Sequence, residues 1–218
     1  MKNIVTVTFN PAIDVSTTVT ELVPQRKMKC TSPIYQPGGG GINVARVITR
    51  LGGRAIAIYL AGGYTGDYFN KLLEQENVLC IPTSISASTR ENMVVLDIKT
   101  NQQYRFGMPG PEIGISEIQK CLFSVNSIAD IDMLVASGSL PQGAPSDTFV
   151  ELGKIAASKK ALFIVDTSGE PLANAVAGGV YLIKPNLREL CTLSGKGLSS
   201  DDEIFRNQFE VLRRSWLQ

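Results

Sequence analysis

The stretch Pro37-Gly38-Gly39-Gly40-Gly41-Ile42-Asn43-Val44-Ala45-Arg46 decides the reading of this chain. Four consecutive glycines cost backbone entropy and bury no side chain. A folded domain keeps them where the main chain must approach a ligand closely or turn through angles closed to other residues. The residues after the glycines have helical period. Ile42, Ala45, Val47/Ile48 and Leu51 fall on one side, which predicts a helix over 42–51, ended by Gly52-Gly53. A glycine loop entering a helix N-terminus offers N–H groups and the positive end of a dipole. That is a place for an anion or a hydroxyl-rich ligand. The spacing is neither G-x-x-x-x-G-K-S/T nor G-x-G-x-x-G, so the common nucleotide motifs do not account for it. The plainer alternative is a mobile linker before a core helix.

On either side of this stretch, strands and helices alternate. Apolar runs at 3–9, 54–60, 131–136, 161–166 and 180–183 read as strands. Helical patterns lie near 42–51, 66–76, 115–125, 147–158 and 186–194. Such alternation implies crossover units and a mostly parallel sheet covered on both faces, an α/β fold. Two regions break the rhythm. Residues 14–35 contain Val15-Ser16-Thr17-Thr18-Val19 and Cys30-Thr31-Ser32-Pro33-Ile34-Tyr35, which alternate as strands. Residues 92–106 contain Asn92-Met93-Val94-Val95-Leu96-Asp97-Ile98 and Gln103-Tyr104-Arg105-Phe106, joined by Thr100-Asn101-Gln102, which signals a hairpin. Together they predict a small second sheet beside the core, suited to a lid or an interface.

Composition narrows the function. A length of 218 residues suits one domain, and a net charge of +1 favours neither a nucleic-acid nor a membrane partner. No apolar stretch reaches membrane length, and the first residues read as a strand. Cys30, Cys80, Cys121 and Cys191 are far apart with no C-x-x-C pair, as expected of reduced thiols in a cytoplasmic protein. The chain has no histidine. Proton transfer must then use carboxylates, Lys, Tyr or Cys, and histidine triads and the usual zinc sites are excluded. A dinucleotide-binding oxidoreductase shares the alternating core but needs a G-x-G-x-x-G turn after the first strand, which is lacking.

Polar clusters come after the strands, where such a sheet exposes its ligand face. Asp14, in Asn10-Pro11-Ala12-Ile13-Asp14, is either a ligand for a sugar hydroxyl or a turn carboxylate. Ser137-Gly138-Ser139-Leu140-Pro141 and Asp166-Thr167-Ser168-Gly169-Glu170 succeed two further strands. Lys184-Pro185-Asn186 precedes Glu189 by the spacing of a capping box. Alternatively Lys184 and Asn186 face a nucleotide phosphate, with Glu189 organising magnesium through water. Arg90 and Arg105, each taken alone, read as solvated arginines or phosphate clamps.

The order of these segments, with Leu51-Gly52-Gly53, Ala61-Gly62-Gly63, Thr65-Gly66 and Thr89-Arg90 between them, resembles the ribokinase-like carbohydrate kinases, and within them the phosphosugar branch. The resemblance runs from residue 1 to about residue 195. It implies ATP- and magnesium-dependent phosphorylation of a ketohexose phosphate, fructose 6-phosphate foremost. Fructose 1-phosphate and tagatose 6-phosphate kinases remain alternatives in the same branch. It places Asp14, Gly38, Gly39 and Asn43 on sugar hydroxyls, with Arg90 and Ser139 lining the sugar-phosphate site. Lys27 would lie on a charged lid edge, reaching across a homodimer formed through the lid. Lys184 and Asn186, together with Lys27, would bind ATP, and Glu189 would serve the magnesium shell.

One departure stands out. The family carries a Gly-Ala-Gly-Asp type motif in its C-terminal third, whose aspartate is the catalytic base. No such motif occurs after Glu189. Tyr64-Thr65-Gly66-Asp67 comes far too early in the chain, and Asp67 there reads as a helix cap. The tail from Asn207 to Gln218 does not read as the family's next strand. The expectation is a chain of 218 residues cut short of its base, with a non-catalytic sugar-phosphate binder as the alternative function.

Overall fold

The computed structural model describes residues 2–195 and 197. The tail segment 207–218 lies outside them.

Sixteen elements alternate along the described residues: β1 (Ile4–Thr8), β2 (Ala12–Val19), β3 (Ile34–Gly38), α1 (Gly40–Arg50), β4 (Ala55–Ala61), α2 (Gly63–Gln75), β5 (Leu79–Ser84), β6 (Arg90–Asp97), β7 (Gln102–Phe106), α3 (Ile115–Asn126), β8 (Met133–Ser137), α4 (Thr148–Ser158), β9 (Leu162–Asp166), α5 (Gly169–Ala177), β10 (Leu182–Ile183) and α6 (Leu187–Ser194). The main sheet has the order β10-β9-β8-β1-β4-β5 with parallel pairing throughout. The N-terminal strand is therefore central. Ile4 to Thr8 pair with Ala55 to Tyr59 on one side, and Ile4 to Val7 pair with Met133 to Ala136 on the other.

Period-two alternation along β1 splits its side chains between two layers. Val5 and Val7 join Leu60, Ile118 and Cys121 of α3, Phe149 and Leu152 of α4, and Leu172 of α5 in one buried cluster. The other cluster gathers Ala57, Tyr59, Ile42 and Ala45 of α1, and Phe69 and Leu73 of α2. It also takes in Ile13 and Val15, so the second sheet is anchored in the core at its root. Phe69 is fully buried against Tyr59 at 5.2 Å between ring centres. Truncating such a phenylalanine to alanine costs about 3–5 kcal/mol.

The second sheet has the order β3-β2-β6-β7. Its two middle strands run parallel, from Ala12 opposite Arg90 to Val19 opposite Asp97, and β3 and β7 flank them antiparallel. This is the small sheet expected from 14–35 and 92–106, with shifted limits. β3 continues into Gly38, β6 begins at Arg90, and Cys30 contributes only a bridge to Val19. The β6–β7 turn places Asn101 at φ +54°, which an asparagine tolerates.

Two elements lie outside the sequence reading, and two expectations are corrected. β5 joins the main sheet although its pattern is interrupted by Pro82, a residue an edge strand accepts. α5 forms directly after the Asp166 cluster. Leu51 is the C-cap of α1 and 82% exposed, and Val47 is also exposed, so the buried stripe of α1 is narrower than its apolar pattern. Asp67 caps nothing: α2 starts at Gly63 behind the N-cap Gly62, and Asp67 lies exposed inside it. No helix among the described residues is long and apolar enough to cross a membrane.

Candidate sugar-phosphate site

The carboxyl ends of β1 and β8, the root of the second sheet and the head of α1 converge. Gly40 and Gly41 let α1 lie flush on the sheet. A methyl group at Gly41 would meet Thr8 Oγ1 at 2.6 Å, and one at Gly40 would meet Ser137 Cβ at 2.8 Å. Gly39, at φ +124°, makes the turn from β3 into the helix, a conformation open to glycine. Helix geometry leaves the first amides without an intrahelical partner. One of them, Ile42 N–H, donates to Thr8 Oγ1 at 3.1 Å.

Asp14 projects from β2 beside Gly38, where a methyl group would come within 2.6 Å of its Cγ. Asn92 Nδ2, opposite it in register, donates to Asp14 Oδ1 at 3.0 Å. Asn92 Oδ1 in turn accepts from Met108 N–H at 3.2 Å. Arg90 opens β6 two residues earlier, which puts it on the same face as Asn92. Its Nη1 donates to Met108 O and its Nη2 to Asn10 O, each at 3.1 Å. Arg90 Nε is buried with no partner among the described residues. Burial pulls the Arg90 guanidinium below its ordinary range, and the charge of Asp14 opposes that shift. Two of its five N–H groups are thus committed to backbone carbonyls and Nε–H is buried, which leaves one N–H on each Nη for an anion. Asn10 Nδ2 donates to Ser139 Oγ at 3.1 Å, which ties the end of β1 to the turn after β8.

Asn43 sits exposed in the first turn of α1, its Oδ1 accepting from Arg46 Nη1 at 3.1 Å. Arg46 is 8% exposed. The same Nη1 reaches Pro37 O at 2.8 Å, while Nε and Nη2 clasp Glu76 at 2.6–3.0 Å. Those hydrogen bonds from Arg46, more than any other influence, hold the Glu76 carboxyl below its usual range.

A second cluster lies beyond β9 and β10. Ser137 Oγ donates to Asp166 Oδ2 at 3.0 Å, and Lys184 Nζ lies 3.5 Å from Asp166 Oδ1. That pair is largely exposed and correspondingly weak. Asn186 and Glu189 close a capping box: Glu189 N–H donates to Asn186 Oδ1 at 3.0 Å, and Asn186 N–H donates to Glu189 Oε2 at 2.8 Å. The capping alternative is thus realised. Lys184 fits a phosphate, being an ammonium on an exposed strand end. Magnesium fits less well. Among the described residues no three acidic, cysteine or histidine side chains gather to hold a metal, and Glu189 has one oxygen already engaged.

Asp14, Gly38, Gly39, Asn43, Arg90 and Ser139 are therefore brought together by contacts through Asn10, Asn92 and Arg46. Lys27 is not. It lies exposed in the loop beyond the Val19 end of β2, five strand residues from Asp14 and so roughly 16 Å of strand away. Asn92 was missed from sequence because its role depends on the parallel register of β6 on β2. Its shared parity with Arg90 was the available signal.

The sequence profile of the pfkB family carbohydrate kinases matches residues 2–211. The chain belongs to that family. It is similar to the ATP-dependent 6-phosphofructokinase isozyme 2 of Mycobacterium tuberculosis strain H37Rv, 40% identical over 212 residues, 97% of this chain and 62% of the relative. The protein of the same description from Escherichia coli K12 is 39% identical over 213 residues, 97% of this chain and 69% of that one. The chain thus spans less than two thirds of the mycobacterial relative's length. The crystal structure of phosphofructokinase-2 from Escherichia coli in complex with fructose-6-phosphate superposes with a TM-score of 0.94 at 38% identity, covering 99% of this chain and 71% of that one. A fold shared to this degree confirms the ribokinase-like sheet with its small second sheet.

Proposed function

We propose that this pfkB chain carries the sugar-phosphate site of an ATP-dependent ketohexose-phosphate kinase, with fructose 6-phosphate as substrate and fructose 1,6-bisphosphate as product. The observation that carries the reading is the pairing at the root of the second sheet. There a carboxylate oriented by Asn92 stands beside a guanidinium with uncommitted donors, over the glycine run. Phosphoryl transfer asks mainly for positioning and charge neutralisation. In this reading Asp14 accepts from a sugar hydroxyl through Oδ2, since Oδ1 is taken. Gly38 and Gly39 let the sugar approach the main chain. Asn43 and Ser139 bind further oxygens, and Arg90 turns its remaining donors to the phosphate.

The other assignments are proposals of the same kind. Lys184 and Asn186 face the ATP phosphates. Magnesium would be supported by Glu189 only through water. The second sheet pairs with that of another copy, which alone would bring Lys27 toward a site. The proposed compartment is the cytoplasm. No group of this chain is assigned as general base, because Asp14 is engaged with Asn92, and Asp166 with Ser137 and Lys184. The base is proposed to be the aspartate of a Gly-Xaa-Gly-Asp segment, which is absent after Glu189 in residues 1–218.

The test is calorimetric titration with fructose 6-phosphate. The chain should bind it, and Asp14→Ala and Arg90→Ala should each weaken binding by about 1–3 kcal/mol. Native affinity in both variants would overturn the site.

A further inference from the structure

We infer that Arg46 is a positioning residue for the sugar site, one that fixes the Asn43 side chain so that it turns its N–H donors to the ligand. The inference rests on the proposed role of Asn43 in sugar binding. A guanidinium has five donors and no acceptor. The Asn43 atom 3.1 Å from Arg46 Nη1 must therefore be the carbonyl oxygen, since the flipped amide would set N–H against N–H. With Oδ1 held, Nδ2 is left to face outward from the first turn of α1, where Asn43 is exposed.

Arg46 is itself held on the far side. Nε and Nη2 engage both oxygens of Glu76, the C-cap of α2, and Nη1 also grips the Pro37 carbonyl just before the glycine run. Four of its five N–H groups are thereby used, and the side chain is almost wholly buried. An arginine so restrained has one place to stand. It transmits the spacing of α1, α2 and β3 to the orientation of one amide. The consequence is a polarity rule for the site. Asp14 accepts, through the oxygen that Asn92 leaves free, and Asn43 donates through Nδ2, its Oδ1 being turned toward Arg46. A ligand must bring a lone pair to one and an O–H to the other. A polyhydroxylated sugar meets both demands, whereas a ligand with only acceptor oxygens meets one.

The experiment is a binding cycle read by calorimetry with fructose 6-phosphate, using native chain, Asn43→Ala, Asn43→Asp, Arg46→Lys and the Arg46→Lys/Asn43→Ala double variant. Arg46→Lys keeps the charge against Glu76 but cannot reach Pro37 O and Asn43 together. Circular-dichroism melts verify that each variant is folded. Asn43→Ala should weaken binding about tenfold, the scale of one lost hydrogen bond. Asn43→Asp should stay folded, its carboxylate facing Arg46, yet lose as much, because it presents an oxygen where the amide presented N–H. Arg46→Lys should weaken binding roughly 3–10-fold, and the double variant should bind no more weakly than Asn43→Ala. In the native ¹⁵N spectrum the Asn43 side-chain amide pair should shift on adding the sugar phosphate, and that shift should collapse in Arg46→Lys.

Native-like binding by Asn43→Asp, or additive losses in the double variant, overturns the inference while leaving Asn43 a sugar ligand. An unchanged affinity in Asn43→Ala overturns the sugar-binding role of Asn43 itself, and the inference with it.

Discussion

Replacing Gly38 by alanine tests the site at its narrowest point. The added methyl group would stand 2.6 Å from Asp14 Cγ and closer still to Oδ2, whereas ordinary contact begins near 3.4 Å, so the carboxylate must withdraw by at least about 0.8 Å. It has little room to do so. Asp14 is a β2 residue paired with Gln36 on one side and Asn92 on the other, and Asn92 holds its Oδ1 at 3.0 Å. Forcing a methylene-sized group into a packed contact costs about 1–3 kcal/mol of stability. The displaced carboxylate also loses its aim at a sugar hydroxyl. A hydrogen bond to a charged group is worth about 1.5–3 kcal/mol, which is roughly a 10–150-fold loss of affinity. Thermal melts and calorimetry with fructose 6-phosphate measure the two effects separately. Gly107→Ala is the control, since a methyl group there meets nothing within 4 Å. If Gly38→Ala binds like the native chain while Asp14→Ala does not, the argument that this glycine exists to admit the Asp14 carboxylate is wrong.

The same geometry sets three further outcomes. A chain of residues 1–218 should show no sugar-dependent ADP release near 1 s⁻¹, the low end of the kinase range: a missing general base costs about 10²–10⁴ in rate, and turnover at that level from this chain alone would mean a base within residues 1–218. Arg46 holds the folded Glu76 carboxyl below its ordinary value of 4.5, so the unfolded chain binds the proton more readily. Its stabilising contribution is complete above about pH 4.5 and is lost as pH falls through the depressed folded value. Glu76→Gln should therefore lower the melting temperature at neutral pH by more than it does near pH 3, and a gap independent of pH would refute the ion-pair account. Cys121 is fully buried, which pushes its thiol up to about 12, while Cys30 is exposed; a thiol reagent should modify Cys30 in the native protein and Cys121 only on unfolding, as mass spectrometry of the labelled peptides would report.

The sheet was legible from sequence because its strands are buried apolar runs of the right length, as in Ile4–Thr8 and Met133–Ser137, bounded by turn residues. The second sheet was legible because helical period vanishes there. β5 was not, because an edge strand interrupted by Pro82 and with only Thr83 buried carries little core signal. α5 was missed because it opens on Gly169-Glu170-Pro171, which reads as a turn until the chain beyond it packs Leu172 and Ala175 into the core. The glycine run pointed to the site, but its supporting polar residues did not declare themselves. Asn92 and Arg46 look like surface residues of a strand and a helix. Their roles arise from register and from an ion pair between residues 30 positions apart, and no local pattern encodes either.

Making β1 the central strand sets a timetable for synthesis. Its partner on one side, β4, comes within about fifty residues, but β8 begins only at Met133. The Asn10–Ser139 hydrogen bond closes a span of 129 positions. At ribosomal speeds of roughly 5–20 residues per second, the first strand waits some 6–26 s before its second edge is paired. Throughout that interval Ile4–Thr8 presents an open row of backbone donors and acceptors to the cell. An N-terminal strand placed at the middle of a parallel sheet thus makes early release of the nascent chain, before residue 139 has emerged, a hazard for aggregation rather than a head start in folding.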